Sequence, residues 1–206
     1  MDTFEAIRDR RSIRQQKPDP IDAEKLNKVL EAARWAPSWA NTQCWRFIVV
    51  RNKDVKAQLQ TTRASFMRPP PPPGAAAPAA PPPPSAQPIV DAPVVIAVCA
   101  ELNKSGTRQD GTPSTDKGGS WYMYDTALAT QNLCLAAHAL GLGTVIIGAF
   151  DAKKAGEILK VPEGFAVVVL VPVGIPAEPG RPPTRKELSE IVFYDRFGGK
   201  WVFHTD

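Results

Sequence analysis

The stretch with the clearest chemical character is Arg10-Arg11-Ser12-Ile13-Arg14, which places three guanidinium groups and a hydroxyl within five residues. The planar fork of arginine forms bidentate, charge-assisted bonds to phosphate oxygens, and serine adds a neutral donor. The stretch lies just past a short helix predicted at residues 2–10. Taken alone, it is better explained as a solvated run of charge than as a phosphate site, so the choice depends on the rest of the chain.

Several common cofactor and catalytic motifs are absent from the sequence. It has no GxGxxG opening a helix after a strand, no GxxxxGK[ST] loop and no GxSxG elbow. Two histidines and three separated cysteines predict no metal site. Cys44 has no histidine nearby in sequence, so a packed thiol is a better interpretation than a nucleophile. No catalytic side chain is assigned, and an enzyme of this composition needs a cofactor to carry its reaction.

Length and composition describe one ordinary globular domain. The 206 residues are 43% hydrophobic and 22% charged, which predicts a single domain over residues 1–206. The net charge of +4, without a basic stripe interleaved with aromatic residues, predicts no nucleic-acid partner. The longest apolar stretches span about seven residues, too few for a membrane span. Three scattered cysteines and no visible secretory signal favour a cytoplasmic setting.

Proline is concentrated in one segment, because half of the 22 prolines lie between residues 69 and 88. Proline lacks a backbone N–H and clashes with the preceding turn, so this tract can form neither a helix nor a central strand. We predict an exposed, proline-rich surface loop within the domain. The alternative interpretation is a docking ligand for a proline-recognising partner.

The elements that must position these residues follow from hydrophobic periodicity. Helices are predicted at 22–36, 122–140 and 185–192, fully buried strands at 94–100 and 166–173, and a further strand at 144–147. The helix at 122–140 is apolar almost all round, which predicts burial in the core or at a subunit interface. Helices interleaved with few strands predict an α+β or three-layer α/β fold.

A second motif lies between the helix at 22–36 and a short strand, and reads APSWANTQCWRF over residues 36–47. With RRSIR near the start, QNLCLAA and GLGT within 131–144, and RKEL followed by YDRFG near the end, the sequence resembles the nitroreductase family of FMN-dependent oxidoreductases. The four motifs occur in the family's order and cover both ends and the middle of the chain. One departure is Cys44, because a proline usually follows the glutamine that corresponds to Gln43.

The resemblance implies an α+β fold, a three-layer α/β/α arrangement with a mostly antiparallel central sheet, in a homodimer that binds FMN at the subunit interface. It also assigns three groups of residues to the cofactor: one to the phosphate, one to the flavin ring and ribityl chain, and one that presents backbone N–H groups to the flavin edge. These groups are, in that order, Arg10, Arg11, Ser12, Arg14 and Arg185; Pro37, Ser38, Asn41 and Gln43; and Ile147 and Gly148.

The implied activity is hydride transfer from NADH or NADPH through FMN to a small electron-poor acceptor, such as a nitroaromatic or a quinone. Two alternatives stay open. One is another flavin reaction of the family, either reductive dehalogenation or flavin destruction, and the other is a non-catalytic flavin-binding module with a proline-rich docking loop. Four aromatic residues are candidates for an acceptor platform: Trp39, Trp45, Trp121 and Tyr124.

Overall fold

The computed structural model describes residues 1–64 and 87–200 of the chain. The proline-rich loop predicted at 69–88 therefore lies outside the described residues, except for its last two positions. Within the described part, the α-helices are α1 (Thr3–Asp9), α2 (Ala23–Arg34), α3 (Lys53–Ala64), α4 (Pro88–Asp91), α5 (Trp121–Ala139), α6 (Ala152–Leu159) and α7 (Leu188–Ile191). The strands are β1 (Trp45–Val50), β2 (Val94–Glu101), β3 (Gly143–Thr144) and β4 (Phe165–Gly174).

The four strands form one sheet in the order β1-β2-β4-β3, and every neighbouring pair is antiparallel. Val98 of β2 lies opposite Phe47 of β1 and Val169 of β4. The register then shifts, so that Cys99 pairs with Val167 and one residue of β4 is left out of the ladder. Such a bulge reverses the alternation of side chains along the strand. These findings confirm the predicted α+β class and the antiparallel sheet.

Helices cover both faces of the sheet, which explains the continuous apolar sequence of β2. Val94, Ile96 and Val98 pack on one face with apolar side chains of α2 and α5. The alternate residues of β2 pack on the other face with Leu59 of α3 and Ala155 of α6. Side chains of a strand point alternately to opposite faces, so a strand buried on both sides has no polar positions. The molecule therefore has three layers, helix on sheet on helix.

The long helix α5 begins at Trp121, one residue before the predicted start. One side of it is buried against the sheet and α2. The other side leaves Met123 and Tyr124 exposed, at 49% and 60% of their surface. The prediction of burial on most sides therefore does not hold within a single chain. No helix of residues 1–64 or 87–200 combines the length and apolarity that crossing a bilayer would require.

The helix predicted at 185–192 is shorter in the structure, and Arg185 precedes it. Helix α7 begins after Glu187, whose backbone N–H is accepted by the Glu190 carboxylate at 2.9 Å in a capping box. Pro182 and Pro183 favour extended backbone upstream of that cap. Arg185 therefore lies in the segment without regular secondary structure that precedes α7. The strand predicted at 144–147 is also shorter, since after Thr144 only Ile147 forms a further bridge, to Leu170.

Candidate functional site

A cleft of about 570 Å³ lies between the segment that follows α1 and a segment near the C-terminal end of the described chain. We call it the arginine cleft. Its volume is within the range of about 300–1,000 Å³ that is typical of small-molecule sites. The structure thus brings Arg185 to the same cleft as the arginine-rich motif near the N-terminus. The lining residues are Arg10, Arg11, Ser12, Ile13, Arg14, Gln15, Glu178, Pro179, Gly180, Arg181, Pro183 and Arg185.

Backbone hydrogen bonds hold the N-terminal wall of the cleft along the sheet edge. Ser12 forms a parallel bridge with Thr144 of β3, and the Ile13 N–H donates to the Thr144 carbonyl at 2.8 Å. Ile13 is buried, whereas Ser12 and Arg14 on either side of it are exposed. This alternation is that of a strand with one buried face. The segment therefore directs the hydroxyl and the Arg14 guanidinium away from the core.

Gln16 fixes the end of this wall and was not identified from the sequence. Its side chain is buried, and its Nε2 donates to the carbonyl groups of Gly143 and Pro172 at 3.2 Å each. A glutamine beside a charged motif gives no sequence signal for such a role, because the two acceptors are more than 120 residues away.

The C-terminal wall approaches the first wall closely at Gly180. A Cβ atom at this position would lie 2.3 Å from the Arg11 Cβ, a distance that real side chains do not tolerate. Glycine therefore permits the contact between the walls. The following residue, Arg181, adds a guanidinium that sequence reasoning missed, although a second arginine four residues before Arg185 was a usable signal.

The charge in the arginine cleft is largely uncompensated. In the described part of the chain, Arg10, Arg14, Arg181 and Arg185 make no ion pair or side-chain hydrogen bond with the protein. Arg11 differs, because its Nη1 donates to the carbonyl groups of Arg8 and Arg10 at 2.6 and 2.9 Å, which fixes its side chain. Glu178 supplies the carboxylate of the lining. This donor set fits a multiply charged anion such as a phosphate monoester.

The second group of predicted residues forms a compact loop, residues 37–43, which we call the carboxamide loop. The Gln43 N–H donates to Ser38 Oγ at 2.9 Å, and Gln43 Nε2 donates to Asn41 Oδ1 at 3.2 Å. Asn41 and Gln43 are exposed, as is Pro37. Ala40, Asn41 and Gln43 have φ angles of 43°, 54° and 48°, a left-handed conformation that side chains other than glycine adopt rarely. The structure therefore brings Ser38, Asn41 and Gln43 together.

The carboxamide loop and the arginine cleft lie at opposite edges of the sheet within one chain. The loop leads into β1, one edge strand, whereas Ser12 bridges to β3, the other edge strand. Strands in a sheet are about 4.8 Å apart, so three spacings separate the edges by about 14 Å. No residue of the loop lines the cleft. One chain therefore does not join the two groups in a single pocket.

The third group needs a correction at Ile147. Its backbone N–H donates to the Leu170 carbonyl at 2.9 Å, and its carbonyl accepts from the Leu170 N–H at 3.0 Å. Its side chain is buried in the core. The expected N–H donor toward a cofactor is therefore already used within the sheet, because the bridge between residues 147 and 170 extends the β3–β4 pairing. The next two residues, Gly148 and Ala149, are exposed.

The aromatic candidates divide into a core residue and a surface cluster. Trp45 is buried with Ala36 and Ala129, so it cannot contact an acceptor. Trp39 and Trp121 form an edge-to-face pair with ring centroids 4.8 Å apart, and Tyr124 lies 5.7 Å from Trp121. This cluster adjoins the carboxamide loop through Trp39. Cys44 is fully buried, and burial raises the pKa of its thiol, in agreement with a packed thiol.

Comparisons with known proteins agree on one family. The family model described as Nitroreductase family matches residues 7–175. An NADH dehydrogenase from Thermus thermophilus is 29% identical over 217 aligned positions, covering 94% of this chain and 96% of that protein. A 5,6-dimethylbenzimidazole synthase from Rhodospirillum rubrum is 31% identical over 176 positions, covering 82% of this chain and 79% of that protein.

A solved structure gives the same result for the fold. The crystal structure of a nitroreductase family protein from Clostridium difficile superposes with a TM-score of 0.72 at 29% identity, covering 95% of this chain and 99% of the other. The region matched by the family model holds the N-terminal wall of the arginine cleft, the carboxamide loop and all four strands, while Arg181 and Arg185 lie beyond it. This chain belongs to the nitroreductase family.

Proposed function

We propose that this chain is an FMN-dependent oxidoreductase that uses NADH or NADPH to reduce a small electron-poor acceptor, such as a nitroaromatic or a quinone. The observation that carries the proposal is the arginine cleft, where Arg14 and Arg185 converge from opposite ends of the chain and have no partner among the described residues. Family membership supports the same activity. The name of the Thermus relative adds support for NADH as the reductant.

The cleft residues would bind the phosphate of FMN. A phosphate monoester carries a charge of about −1.5 to −2 near neutral pH and offers three acceptor oxygens. Arg14 and Arg185 would approach it from opposite walls, and Ser12 would add a neutral donor. Hydrogen bonds to charged groups contribute about 1.5–3 kcal/mol each, so a few such contacts account for tight binding.

The carboxamide loop would contact the ribityl chain and the polar edge of the flavin. Asn41 and Gln43 each offer a donor and an acceptor, which suits a ligand edge of mixed polarity. Gly148 would present its backbone at the same edge, where its missing side chain allows close approach. FMN, when bound, would carry out the transfer of hydride and electrons. The chain's own residues would therefore bind and orient the reactants, and no acid or base side chain is assigned.

A homodimer would complete the site. The two residue groups lie at opposite edges of one sheet, so the arginine cleft of one protomer would meet the carboxamide loop of its partner. Apolar side chains are exposed on two helices that pack together, Phe4 and Ile7 on α1 and Met123 and Tyr124 on α5. These side chains would be buried between the two copies. Burial between two copies would also explain the all-round apolarity of α5.

An anaerobic visible spectrum tests the proposed activity. The protein incubated with FMN and freed of unbound flavin should be yellow, and NADH or NADPH should bleach it. Admitting a nitroaromatic or a quinone should restore the colour. A protein that retains no flavin, or whose bound flavin neither nicotinamide reduces, contradicts the proposal. The second of these outcomes would instead favour a non-catalytic flavin-binding module.

Flavin destruction is a second candidate, favoured by the 31% identity to a 5,6-dimethylbenzimidazole synthase. The same experiment separates it from acceptor reduction. After reduction and exposure to air, an acceptor reductase returns the original amount of FMN, whereas a flavin-destroying enzyme loses it to new products. Release of halide from a halogenated aromatic compound, in place of nitroaromatic reduction, would assign the dehalogenation alternative.

A further inference from the structure

A buried carboxylate holds the carboxamide loop from behind. Asp125 lies on α5 and is 0% exposed. It lies where three segments meet: the helix itself, the loop with its continuation to Cys44, and the segment after β2 that carries Ser105. Burying an ionised carboxylate is costly unless hydrogen bonds compensate it. The partners of Asp125 therefore indicate what this charge stabilises.

Among the described residues, the hydrogen-bond donors to Asp125 all come from outside its helix. The Trp39 N–H donates to both carboxylate oxygens at 3.2 Å. Ser105 Oγ donates to Oδ2 at 2.5 Å, and the same hydroxyl pairs with Thr42 Oγ1 at 2.7 Å. Cys44 Sγ donates to Oδ2 at 3.9 Å. The carboxylate is thus connected to three positions along the loop and its continuation. It bonds directly to Trp39 and Cys44, and through Ser105 to Thr42.

The carboxylate has no cationic partner among residues 1–64 and 87–200. Its compensation therefore comes from Ser105 together with the loop donors Trp39 and Cys44, and a displaced loop would leave a buried charge with fewer hydrogen bonds. The loop in turn contains three residues with positive φ, a conformation that residues other than glycine adopt rarely. Such a conformation persists only where the surroundings determine it. The carboxylate and the loop therefore stabilise each other.

We propose that Asp125 is the positioning residue of the carboxamide loop, setting the orientation in which Ser38, Asn41 and Gln43 meet the flavin. This inference rests on the proposed function for its consequence, but the contact itself belongs to the protein alone. Asp125 would act through the loop and would not touch the cofactor.

Cys44 gives this chain a hydrogen bond to Asp125 that the family pattern does not provide. The thiol occupies the position where the pattern has proline, and proline offers no donor. Burial raises the pKa of the Cys44 thiol, so the S–H proton is retained at neutral pH and remains available to Asp125. The weak S–H donor adds to the stronger donors from Trp39 and Ser105.

Three variants test the inference. Asp125→Asn keeps the shape but removes the charge, and Ser105→Ala removes one donor without changing the helix. Thr130→Val is the matched control, because the buried Thr130 hydroxyl donates to the Thr126 carbonyl within α5 and, among the described residues, forms no hydrogen bond with the loop. Two quantities are measured at a temperature where all variants are folded: hydrogen exchange of the peptide spanning residues 36–44 without flavin, and the Kd for FMN.

Asp125→Asn and Ser105→Ala should each accelerate hydrogen exchange of the peptide 36–44, which contains the Trp39 amide. For Asp125→Asn the acceleration should be about tenfold or more. The Kd for FMN should rise by a similar factor. Thr130→Val should lower the melting temperature while leaving loop exchange and Kd within about twofold of the parent protein. If Asp125 has a merely structural role, loop exchange and the Kd for FMN should instead change in proportion to the melting temperature in all three variants.

Unchanged loop exchange in both Asp125→Asn and Ser105→Ala overturns the inference. If Asp125→Asn fails to fold, Ser105→Ala alone decides, with the same two readouts. If the parent protein binds no FMN, the proposed function fails, and the exchange experiment still decides whether Asp125 positions the loop. Faster loop exchange with an unchanged Kd also overturns the proposal, because the loop would then be ordered by Asp125 without orienting the cofactor.

Discussion

At the residue scale, the guanidinium groups of Arg14 and Arg185 have no partner within the described part of the protein. Arg14 and Arg185 are exposed and reach the same cleft although they are 171 residues apart in the sequence. Arginine keeps its charge at all relevant pH values, and its fork geometry matches phosphate oxygens. An exposed cation without a protein partner is common, but several that face one cleft across two walls indicate an anionic ligand.

Replacing either Arg14 or Arg185 with alanine should weaken FMN binding. Each change removes charge-assisted hydrogen bonds of about 1.5–3 kcal/mol, so the Kd should rise by about 10- to 100-fold. Fluorescence titration of apo-protein with FMN measures the effect. Arg51→Ala is the control, since Arg51 lines a different pocket, and it should change the Kd by less than about twofold. Undiminished affinity in both variants would refute the phosphate assignment.

Cys99 predicts a loss of stability at alkaline pH. Burial in β2 raises the pKa of its thiol from 9.0 to about 11. Between these values the unfolded chain releases the proton and the folded chain keeps it, so the free energy of unfolding falls as pH rises. The loss reaches up to about 2–3 kcal/mol at pH 11.

Urea unfolding of the parent protein and of Cys99→Ala at pH 7, 9 and 11 measures this contribution. Cys99→Ala should be less stable at pH 7, because it loses buried volume, and the difference should shrink as pH rises. Other titrating groups contribute equally to both proteins and cancel. A difference that stays constant from pH 7 to pH 11 contradicts the assignment.

Individual contacts were predictable from the sequence only where the residue type itself names the chemistry. Arg14 and Arg185 could be placed at one site by their charge and by the family's motif order. Gln16 and Ile147 could not, because their roles depend on backbone groups that approach only after folding. Asp125 does have a sequence signal. An acidic residue in a helix that is apolar almost all round is expected to be buried and to need hydrogen-bond donors from other segments.

At the element scale, the arginine cleft exists because one segment runs along the edge strand β3 and a second segment packs on it at Gly180. The hydrophobic patterns of β2 and α5 were sufficient to predict these elements, since β2 is apolar throughout and α5 is apolar almost all round. The pattern failed for α7, because the polar and proline-rich residues 181–187 have no buried face that would show the boundary. Short edge strands such as β3 also contain too few residues to show the alternating hydrophobic pattern that predicts a strand.

Gly180→Ala should open the cleft. The new Cβ would meet Arg11 at 2.3 Å, so the two walls must separate, which should lower both the melting temperature and the affinity for FMN. Overpacking of this kind costs about 1–3 kcal/mol. Differential scanning fluorimetry and FMN titration measure the two effects.

Gly156→Ala is the matched control for that substitution. Gly156 lies inside α6, where a Cβ would be 3.9 Å from Val161, an ordinary contact. Alanine in a helix interior is favoured over glycine by about 0.5–1 kcal/mol, so this variant should be more stable and bind FMN normally. A Gly180→Ala protein as stable and as tight-binding as the parent would show that the walls of the cleft are not in contact.

At the scale of the whole molecule, the two residue groups at opposite edges of the sheet predict a shared site between two copies. Complementation tests this arrangement directly. A chain with Arg14→Ala and Arg185→Ala is co-expressed with a chain carrying Asn41→Ala and Gln43→Ala, each with a different affinity tag. In the mixed dimer, one site would receive both intact groups and the other site neither.

The doubly purified mixed dimer should therefore bind about half an equivalent of FMN per chain with the affinity of the parent, while each parental variant alone binds weakly. Sedimentation velocity should show two chains per particle. A mixed preparation that binds no better than its two components means that each chain builds its site alone. A monomer in sedimentation leads to the same conclusion.

The most direct measurement compares the affinities of the apo-protein for FMN and for riboflavin, which lacks the phosphate. If guanidinium groups from both ends of the polypeptide grip that phosphate, FMN should bind at least about 100-fold more tightly, and the Arg14→Ala, Arg185→Ala double variant should lose most of this preference. Equal affinities for the two flavins would contradict the claim that the arginine cleft binds the phosphate of FMN.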